Sequence, residues 1–185
     1  MDALELLRTR ASNGKLTEPA PDDETLQEIV QDALRAPDHA ALRPWKILVI
    51  RGEGLKRLGE LFRQSVARRD PHAGEDQLAR VERNPLRAPL MLVVAATPTE
   101  HPKAPQIEQL LSAGGVTLGI LYGLHARGFA GMWRTGGPAY DEDLNEALGL
   151  RREDRIVAFL YAGTANRPTP ASTRPSARDH LVPWP

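Results

Sequence analysis

Residues 89–96, Pro-Leu-Met-Leu-Val-Val-Ala-Ala, restrict the fold of this chain more than any other stretch of its sequence. The run is continuously apolar and is bounded by proline on both sides. Such a run is typical of a strand that is buried on both faces. The sequence therefore predicts that this strand lies centrally in a sheet.

Three further strands and five helices are predicted around it. Apolar and β-branched runs indicate strands at 45–51, 129–133 and 156–161. One-face apolar spacing predicts helices at 2–10, 22–36, 53–69, 105–127 and 140–149, with Asp2 and Asp22 as N-caps. Residues 68–87 are polar and predicted to be half helical around Leu78 and Val81. Because the connections are uneven, we expect a mixed α+β layer fold in preference to a regular doubly wound sheet.

The predicted helix 105–127 is unusual because it carries four glycines, at 114, 115, 119 and 123. Glycine lowers helix propensity but lets another backbone approach closely. The longest uncharged run of the chain, 110–124, lies in this helix and is shorter than the ~20 residues of a membrane-spanning helix. We therefore predict a buried central or interface helix.

Composition favours one domain without a strong global charge. The 185 residues carry 24 basic and 24 acidic side chains, which argues against nucleic-acid and anionic-membrane partners. There is no cysteine, so disulfides, iron–sulfur clusters and thiolate chemistry are excluded. The acidic start lacks the features of a secretory signal, and a cytoplasmic location is expected. We assign residues 1–165 to the domain and 166–185 to a proline-rich tail, whose prolines exclude a helix. The tail is either disordered or extended across another surface, and its apolar end suggests docking.

Three separate segments place guanidinium groups beside small or hydroxylic residues at the ends of predicted elements: 10–15, 35–45 and 131–137. In the second of these, Pro37 is expected to end a helix and Pro44 to keep Arg43 extended. Each segment alone is also compatible with ordinary capping or a solvated surface. Together they indicate a ligand that has both a phosphate and a planar hydrogen-bonding ring, and a flavin mononucleotide meets both demands.

Other site chemistries have weak or absent signals. The Gly-x-Gly-x-x-Gly fingerprint, the phosphate-binding loop of nucleotide triphosphatases and the Gly-x-Ser-x-Gly elbow are missing. The five histidines are scattered without a His-x-x-x-His pair, and no metal site is predicted. Asp38 and His39 could form half of an acid–base pair, which leaves a hydrolase as a remote alternative.

Several of these stretches, in the same order, resemble the nitroreductase family, and most closely its small bacterial branch of NAD(P)H nitroreductases. The resemblance runs from Met1 to about Thr164 and is carried by Arg10-Ala11-Ser12, Arg35-Ala36-Pro37-Asp38-His39, Pro44-Trp45, Arg87-Ala88-Pro89, Ser112-Ala113-Gly114 and Gly131-Met132-Trp133-Arg134-Thr135-Gly136. It implies an α+β sandwich with a mostly antiparallel sheet of four to five strands flanked by helices. It also implies an intertwined homodimer with FMN at the subunit interface, on which the tail would dock.

The resemblance also implies roles for individual residues. Arg10, Ala11 and Ser12 would lie at the flavin phosphate and ribityl chain, and Arg35 and His39 would reach the same flavin from the other subunit. Trp133, Arg134 and Thr135 would border the isoalloxazine ring. The nicotinamide nucleotide would lie near Gly123, Leu124, His125, Ala126, Arg127 and Gly128. Ala11 replaces a residue that is usually basic and Asn13-Gly14 a more side-chain-rich stretch, so Lys15, Arg167 or Arg174 are candidates for the missing charge.

The implied activity is FMN-dependent hydride transfer from NADH or NADPH to nitroaromatic or quinone-like acceptors. Such chemistry belongs to the cofactor, and no catalytic side chain is assigned. A backbone N–H of the turn at 134–137 is the candidate partner of flavin N5, and the cation near N1 is left open. The alternative is a protein that binds or delivers FMN without turnover.

Overall fold

The structure is a computed structural model that describes residues 2–168 and 174–184. Its helices are α1 (Ala3–Thr9), α2 (Asp23–Ala33), α3 (Glu53–Arg69), α4 (Glu75–Glu82), α5 (Gln106–Ala126) and α6 (Glu142–Ala147). Its strands are β1 (Leu16–Thr17), β2 (Trp45–Arg51), β3 (Leu90–Ala96), β4 (Ala130–Arg134) and β5 (Arg155–Ala165). Met1, and residues 169–173 and Pro185 of the predicted tail, lie outside the described residues.

All strand pairs in the sheet are antiparallel. The strand order is β1-β5-β3-β2, and β4 also pairs with β5. β3 therefore lies between two strands, and every one of its residues is buried, as predicted from its unbroken apolar sequence. The predicted α+β sandwich is confirmed. Four of its strands were located from the sequence, and the fifth, the two-residue β1, was not.

Helices cover both faces of the sheet because alternate residues of β3 and β5 point in opposite directions. On one face, Met91 and Val93 pack with Phe159 under α3 and α6. The rings of Phe62 and Phe159 pack edge to face, with their centroids 4.7 Å apart. On the other face, Leu92 and Val94 pack under α2 and α5. The core is thus two apolar layers separated by one sheet.

The glycines of α5 explain how α2 packs against it. A Cβ atom at Gly119 would lie 3.0 Å from both Cα and Cβ of Ala33. Gly123 meets Ile29 and Gly115 meets Ala36 in the same way, at 2.9 and 3.2 Å. The three glycines are four residues apart and form one flat stripe. Although α5 is long and apolar enough to cross a membrane, half of its most apolar 18-residue window is buried within this fold.

Helix boundaries follow the predicted caps, with differences at α2, at α6, which spans Glu142–Ala147 and not residues 140–149, and in the tail, where the prediction of no helix is wrong. The side chains of Asp2 and Asp22 accept hydrogen bonds at the starts of α1 and α2, as predicted. However, α2 ends at Ala33 and not at residue 36, because the N–H groups of Arg35 and Ala36 bond three residues back and Pro37 disfavours helical backbone before it. The tail also contains one helical turn, Ala177–Asp179, which fits between its prolines and is capped by Ser176.

Substituting Gly119 by Ala should lower the free energy of unfolding by about 1–2 kcal/mol, because the new methyl group forces α2 away from α5. Gly114→Ala is the matched control on the same helix, since its methyl would meet only Trp133 at 3.8 Å and the helix gains propensity. Urea unfolding of both variants measures the difference. Equal stability of the two variants would contradict close packing at Gly119.

Candidate functional site

The amino-terminal segment, residues 10–15, lies alongside β4. Asn13 donates its backbone N–H to the carbonyl of Gly131 at 3.1 Å. A Cβ at Gly14 would be 3.0 Å from Sδ of Met132 and 3.4 Å from the guanidinium of Arg134. A larger residue at position 14 would therefore press on β4, which gives a physical reason for the glycine there.

The same segment also lies near the end of α5. The Thr9 hydroxyl is 2.9 Å from Nε2 of His125, so the last turn of α1 is fixed to the last turn of α5. Two of the three predicted segments, 10–15 and 131–137, are thus brought together in one chain. The side chains of Arg10, Ser12 and Lys15 have no hydrogen-bond or ion-pair partner within residues 2–168 and 174–184. They are available for an anionic ligand.

The carboxy-terminal part of the chain holds this segment in place. The side-chain amide of Asn13 donates to the carbonyl of Arg167 at 3.2 Å, and the N–H of Asn166 donates to the carbonyl of Lys15 at 3.2 Å. The Arg174 guanidinium donates to the carbonyls of Leu7, at 3.1 Å, and Arg8. A cation on the last carbonyls of a helix satisfies them and complements the helix dipole. Arg174 therefore stabilises the end of α1.

The corner, residues 35–45, has a strained backbone. Ala40, Ala41 and Arg43 have φ values of 64°, 53° and 50°. The prediction that Arg43 is extended is thus wrong. Pro44 favours extended backbone in the residue before it. The Asp38 carboxylate accepts from the N–H of Arg43 at 2.7 Å, and this bond accompanies the left-handed conformation of Arg43. Left-handed backbone costs about 1–2 kcal/mol per non-glycine residue, and such strain is concentrated at functional sites.

The corner rests on the first half of α5. Nδ1 of His39 is 2.6 Å from a carboxylate oxygen of Glu108, and both side chains are about half exposed, at 51% and 45%. The Ser112 hydroxyl donates to the carbonyl of Pro37 at 2.8 Å. His39 thus pairs with Glu108 and not with Asp38, and the acid–base pair of the hydrolase alternative is not formed.

Within one chain, the corner and the amino-terminal segment are far apart. Glu108 contacts the corner and His125 contacts Thr9, and these two residues are 17 positions apart on one helix. At 1.5 Å per residue this separation is about 25 Å along the helix axis. Within one chain, His39 therefore contacts the opposite end of α5 from the amino-terminal segment.

The end of β4 presents different side chains to the two faces of the sheet. Trp133 lies on the α5 side, where a Cβ atom at Gly114 would be 3.8 Å from its indole ring. Its Nε1–H donates to the carbonyl of Val157 at 2.9 Å. Arg134 lies on the α3 side, with Cζ 6.0 Å from the centre of the Tyr161 ring. The β4 turn, residues 134–138, follows, and Arg69 donates to the carbonyl of Gly137.

The stretch 123–128 carries both packing and exposed residues. Gly123 packs on Ile29, Leu124 is fully buried, and Arg127 pairs with Glu28 and Asp32 of α2 at 3.3 and 3.1 Å. His125 is the member of this stretch whose side chain contacts α1, while Ala126 and Gly128 are exposed. Gly123 and Leu124 therefore belong to the core, and His125 is the predicted residue nearest to the amino-terminal segment.

Two residues at the site were missed by sequence reasoning. Glu108 pairs with His39 across 69 residues of sequence, and Tyr161 lies beneath Arg134. Neither forms a motif with its partner, because both contacts depend on how α5 and β5 are placed by the fold. No local signal in the sequence indicates them.

An antiparallel five-stranded sheet between two helical layers, with cationic segments around β4 and at both ends of a long core helix, defines a ligand-binding α+β sandwich. The model of the nitroreductase family matches residues 7–164 of this chain. The chain is 42% identical over 166 residues to the Escherichia coli K12 protein named "Putative NAD(P)H nitroreductase YdjA". The aligned residues make up 89% of this chain and 88% of the relative.

Solved structures show the same fold. A nitroreductase-like family protein from Bacillus cereus superimposes with a TM-score of 0.84 at 24% identity, covering all of this chain and 96% of the other. A nitroreductase with bound FMN from Desulfitobacterium hafniense DCB-2 has a TM-score of 0.71 at 20% identity, over 98% and 97% of the two chains. This chain belongs to the nitroreductase family.

Asp141 fixes the far end of the β4 turn. Its carboxylate accepts from the Arg68 guanidinium at 2.7 Å and from the N–H of Asp143 at 3.0 Å. Burial would raise the pKa of Asp141, but the neighbouring Ser65 hydroxyl, the Arg68 guanidinium and the Asp143 N–H outweigh burial and hold that pKa below its ordinary value.

We expect Asp141→Asn to lower the free energy of unfolding by about 1–2 kcal/mol at pH 7, because it removes a charge-assisted bond to Arg68. A lowered folded-state pKa stabilises the fold above the unfolded-state value of about 4 and ceases to do so as the pH falls through the folded-state pKa. The difference from the unmodified protein should therefore shrink below about pH 4 in urea titrations. Asp143→Asn, at a half-exposed partner of the same arginine, should cost less; a larger cost than that of Asp141→Asn would count against this assignment.

Proposed function

We propose that this protein is an FMN-dependent oxidoreductase that transfers hydride from NADH or NADPH to nitroaromatic or quinone-like acceptors. Family membership supports this, as does the name of the 42% identical relative, an NAD(P)H nitroreductase. The observation that carries the proposal is the meeting of residues 10–15 with the end of β4. There the cations and the hydroxyl of residues 10–15 lie next to Trp133 and to the backbone N–H groups of the β4 turn. This combination of groups suits a ligand in which a phosphate is joined to a planar ring.

The amino-terminal segment is the proposed phosphate side. Arg10 and Ser12 provide donors without competing partners among the described residues, and Lys15 adds a second cation. Gly14 keeps the backbone close to β4, so a ligand on this segment also contacts the β4 turn. The sequence made Arg174 a candidate partner of the phosphate. In the structure its guanidinium instead donates to the carbonyl of Leu7 and holds the end of α1.

The ring side is proposed to lie along Trp133, Arg134 and Thr135. FMN held by these residues would supply the hydride-transfer chemistry. The backbone N–H groups of Gly136 and Gly137 have no backbone partner among the described residues, so they are candidate donors to N5. In the net reaction, a nitroarene, NAD(P)H and one proton give a nitrosoarene, NAD(P)⁺ and water. The chain binds and orients both reactants, and His125 with the exposed end of α5 is the proposed nucleotide side.

A homodimer completes this site. His39 lies about 25 Å from the amino-terminal segment along α5, and we propose that His39 and Arg35 reach a ligand there from a second copy that places its α5 in the opposite direction. The outer face of α5 is suited to such a contact, because Ile107, Leu111 and Leu118 are 62%, 68% and 41% exposed. Leu181, Val182 and Trp184 of the tail are also exposed, and we assign them to docking on the partner. Cytoplasmic NADH and NADPH would supply this enzyme.

The test of this function is the visible spectrum of the purified protein, followed by anaerobic addition of NADH or NADPH. We expect a flavin spectrum that bleaches when NADH or NADPH is added. Addition of a nitroarene or quinone should then reoxidise the flavin and restore the spectrum. A bound flavin that stays oxidised would instead indicate a protein that holds or delivers FMN. A colourless protein that FMN does not reconstitute would refute both.

Arg35→Ala should weaken FMN retention about tenfold, because it removes one charge-assisted contact of about 1.5 kcal/mol. The control is Arg57→Ala, on the exposed side of α3, which should retain FMN like the unmodified protein. Fluorescence of released FMN after dilution measures both. Equal retention in the two variants would argue against the corner as a flavin contact.

Leu111→Glu should convert the dimer to a monomer and release FMN, because it places a charge in the proposed contact between two copies of α5. Leu86→Glu is the control, since Leu86 is also half exposed but lies in the turn Asn84–Arg87, away from α5. Analytical ultracentrifugation at micromolar concentration gives the masses. The proposed interface on the outer face of α5 would be contradicted if the unmodified protein were monomeric or if the Leu111→Glu variant were dimeric.

A further inference from the structure

Asn13 is the buried centre of the amino-terminal segment. Between the end of α1 and the start of β1, residues 11–15 form neither helix nor strand. Asn13 is the buried residue of this stretch, at 7% exposure, while Ser12 before it and Lys15 beyond it are exposed. Burying an amide is costly unless it forms hydrogen bonds. The hydrogen bonds of Asn13 therefore indicate what this residue does in the fold.

Asn13 links the segment to two other parts of the chain and to itself. Its backbone N–H donates to the carbonyl of Gly131 in β4 at 3.1 Å. Its side-chain amide donates to the carbonyl of Arg167, which follows β5, at 3.2 Å. Its side-chain oxygen accepts from the N–H of Lys15 at 3.0 Å and so closes a turn over Gly14. The conformation of the whole segment thus depends on one side chain.

The groups that this turn positions are free hydrogen-bond donors. Within residues 2–168 and 174–184, the backbone N–H groups of Ser12 and Gly14 have no hydrogen-bond partner. The same holds for the side chains of Arg10, Ser12 and Lys15. These donors lie on both sides of Asn13 in the sequence, so their relative placement depends on the bonds of Asn13. Donors held in place bind an anion more tightly than mobile donors, because less conformational freedom is lost on binding.

We propose that Asn13 is a positioning residue that makes this segment selective for a flavin with a phosphate group. Asn13 acts through the segment, because its own amide is buried and bonded to backbone groups. Residues 13 and 14 are also where the chain departs from the stretch that the family resemblance implies. Here bonds of Asn13 to the backbone take the place of additional side chains. The inference rests on the proposed function, because the phosphate is that of FMN.

The test compares FMN with riboflavin, which has the same ring and ribityl chain and lacks the phosphate. Both are titrated into flavin-free protein, and binding is followed by quenching of flavin fluorescence. The unmodified protein should bind FMN about a hundredfold more tightly, since two charge-assisted hydrogen bonds to the phosphate contribute about that factor. In Asn13→Ala this ratio of affinities should fall about tenfold, because the donors lose their fixed placement. An unchanged ratio, or equal affinity of the unmodified protein for the two flavins, overturns the proposal.

Asn145→Ala is the matched control for the loss of a buried amide. Asn145 is 3% exposed, and its side-chain amide donates to the carbonyl of Asp154 at 2.8 Å. It lies in α6, on the opposite face of the sheet from α5, so its removal should lower stability and leave the ratio of affinities unchanged. A similar fall of the ratio in both variants would mean that lower stability alone changes flavin affinity, and it would overturn the positioning role.

A second variant applies if Asn13→Ala does not fold. Asn13→Ser keeps a hydroxyl that can accept from the N–H of Lys15, but its shorter side chain lacks the amide that donates to Arg167. The ratio of affinities should again fall relative to the unmodified protein. A ratio equal to that of the unmodified protein would overturn the proposal.

The outcomes separate this inference from the proposed function. If the unmodified protein binds neither flavin, the proposed function fails and the inference fails with it. If the unmodified protein binds FMN and bleaches with NADH or NADPH, while Asn13→Ala keeps the ratio of affinities, the proposed function stands and the role of Asn13 is overturned.

Discussion

The contact between α2 and α5 is the constraint on which the rest of this structure depends. Three glycines four residues apart leave a flat stripe on α5, and Ile29, Ala33 and Ala36 lie directly on it. Because α2 is held so closely, the corner that follows it reaches the first half of α5, where Glu108 receives His39. The opposite end of α5 is fixed to α1. One helix thus sets the positions of both cationic segments.

Under the proposed function the arrangement binds and orients its ligands, because hydride transfer is chemistry of the cofactor. Cations and backbone donors are gathered around β4, while the pocket beside the β4 turn on the α3 side has aromatic and aliphatic walls. Such a site controls which ligands enter and how they lie. Differences in specificity between relatives would then come from the residues around the β4 turn more than from any reacting side chain.

Much of this molecule was predictable because its signals are local. The buried strand at 89–96, the capped starts of α1 and α2 and the glycines of α5 depend on neighbours in sequence. The grouping of residues 10–15 with 131–137 also followed from a family resemblance. Contacts between distant segments were not predictable. The glycine stripe was assigned to a central or interface helix, and only the fold shows that α2 of the same chain covers it.

The corner shows a second limit of sequence reasoning. Proline favours extended backbone in the residue before it, but tertiary contacts can override that preference. In the corner the contact is that of the Asp38 carboxylate, which bonds the N–H of Arg43. Similarly, Arg174 carries a charge that suits a phosphate, yet it bonds the carbonyls at the end of α1. In both cases a hydrogen bond between a side chain and a backbone group, which the sequence does not reveal, sets the conformation or the contact of the arginine.

The two ends of the chain meet in this fold, with a consequence for how the protein matures. Residues 10–15 are held by β4 and by Asn166 and Arg167, and β1 pairs with the last residues of β5. During synthesis the amino-terminal segment leaves the ribosome first, but its binding surface is completed only when β5 and the following residues have emerged. Under the proposed function, cofactor loading is therefore a late event, and a chain that stops before β5 would lack the strand and carbonyls that hold residues 10–15.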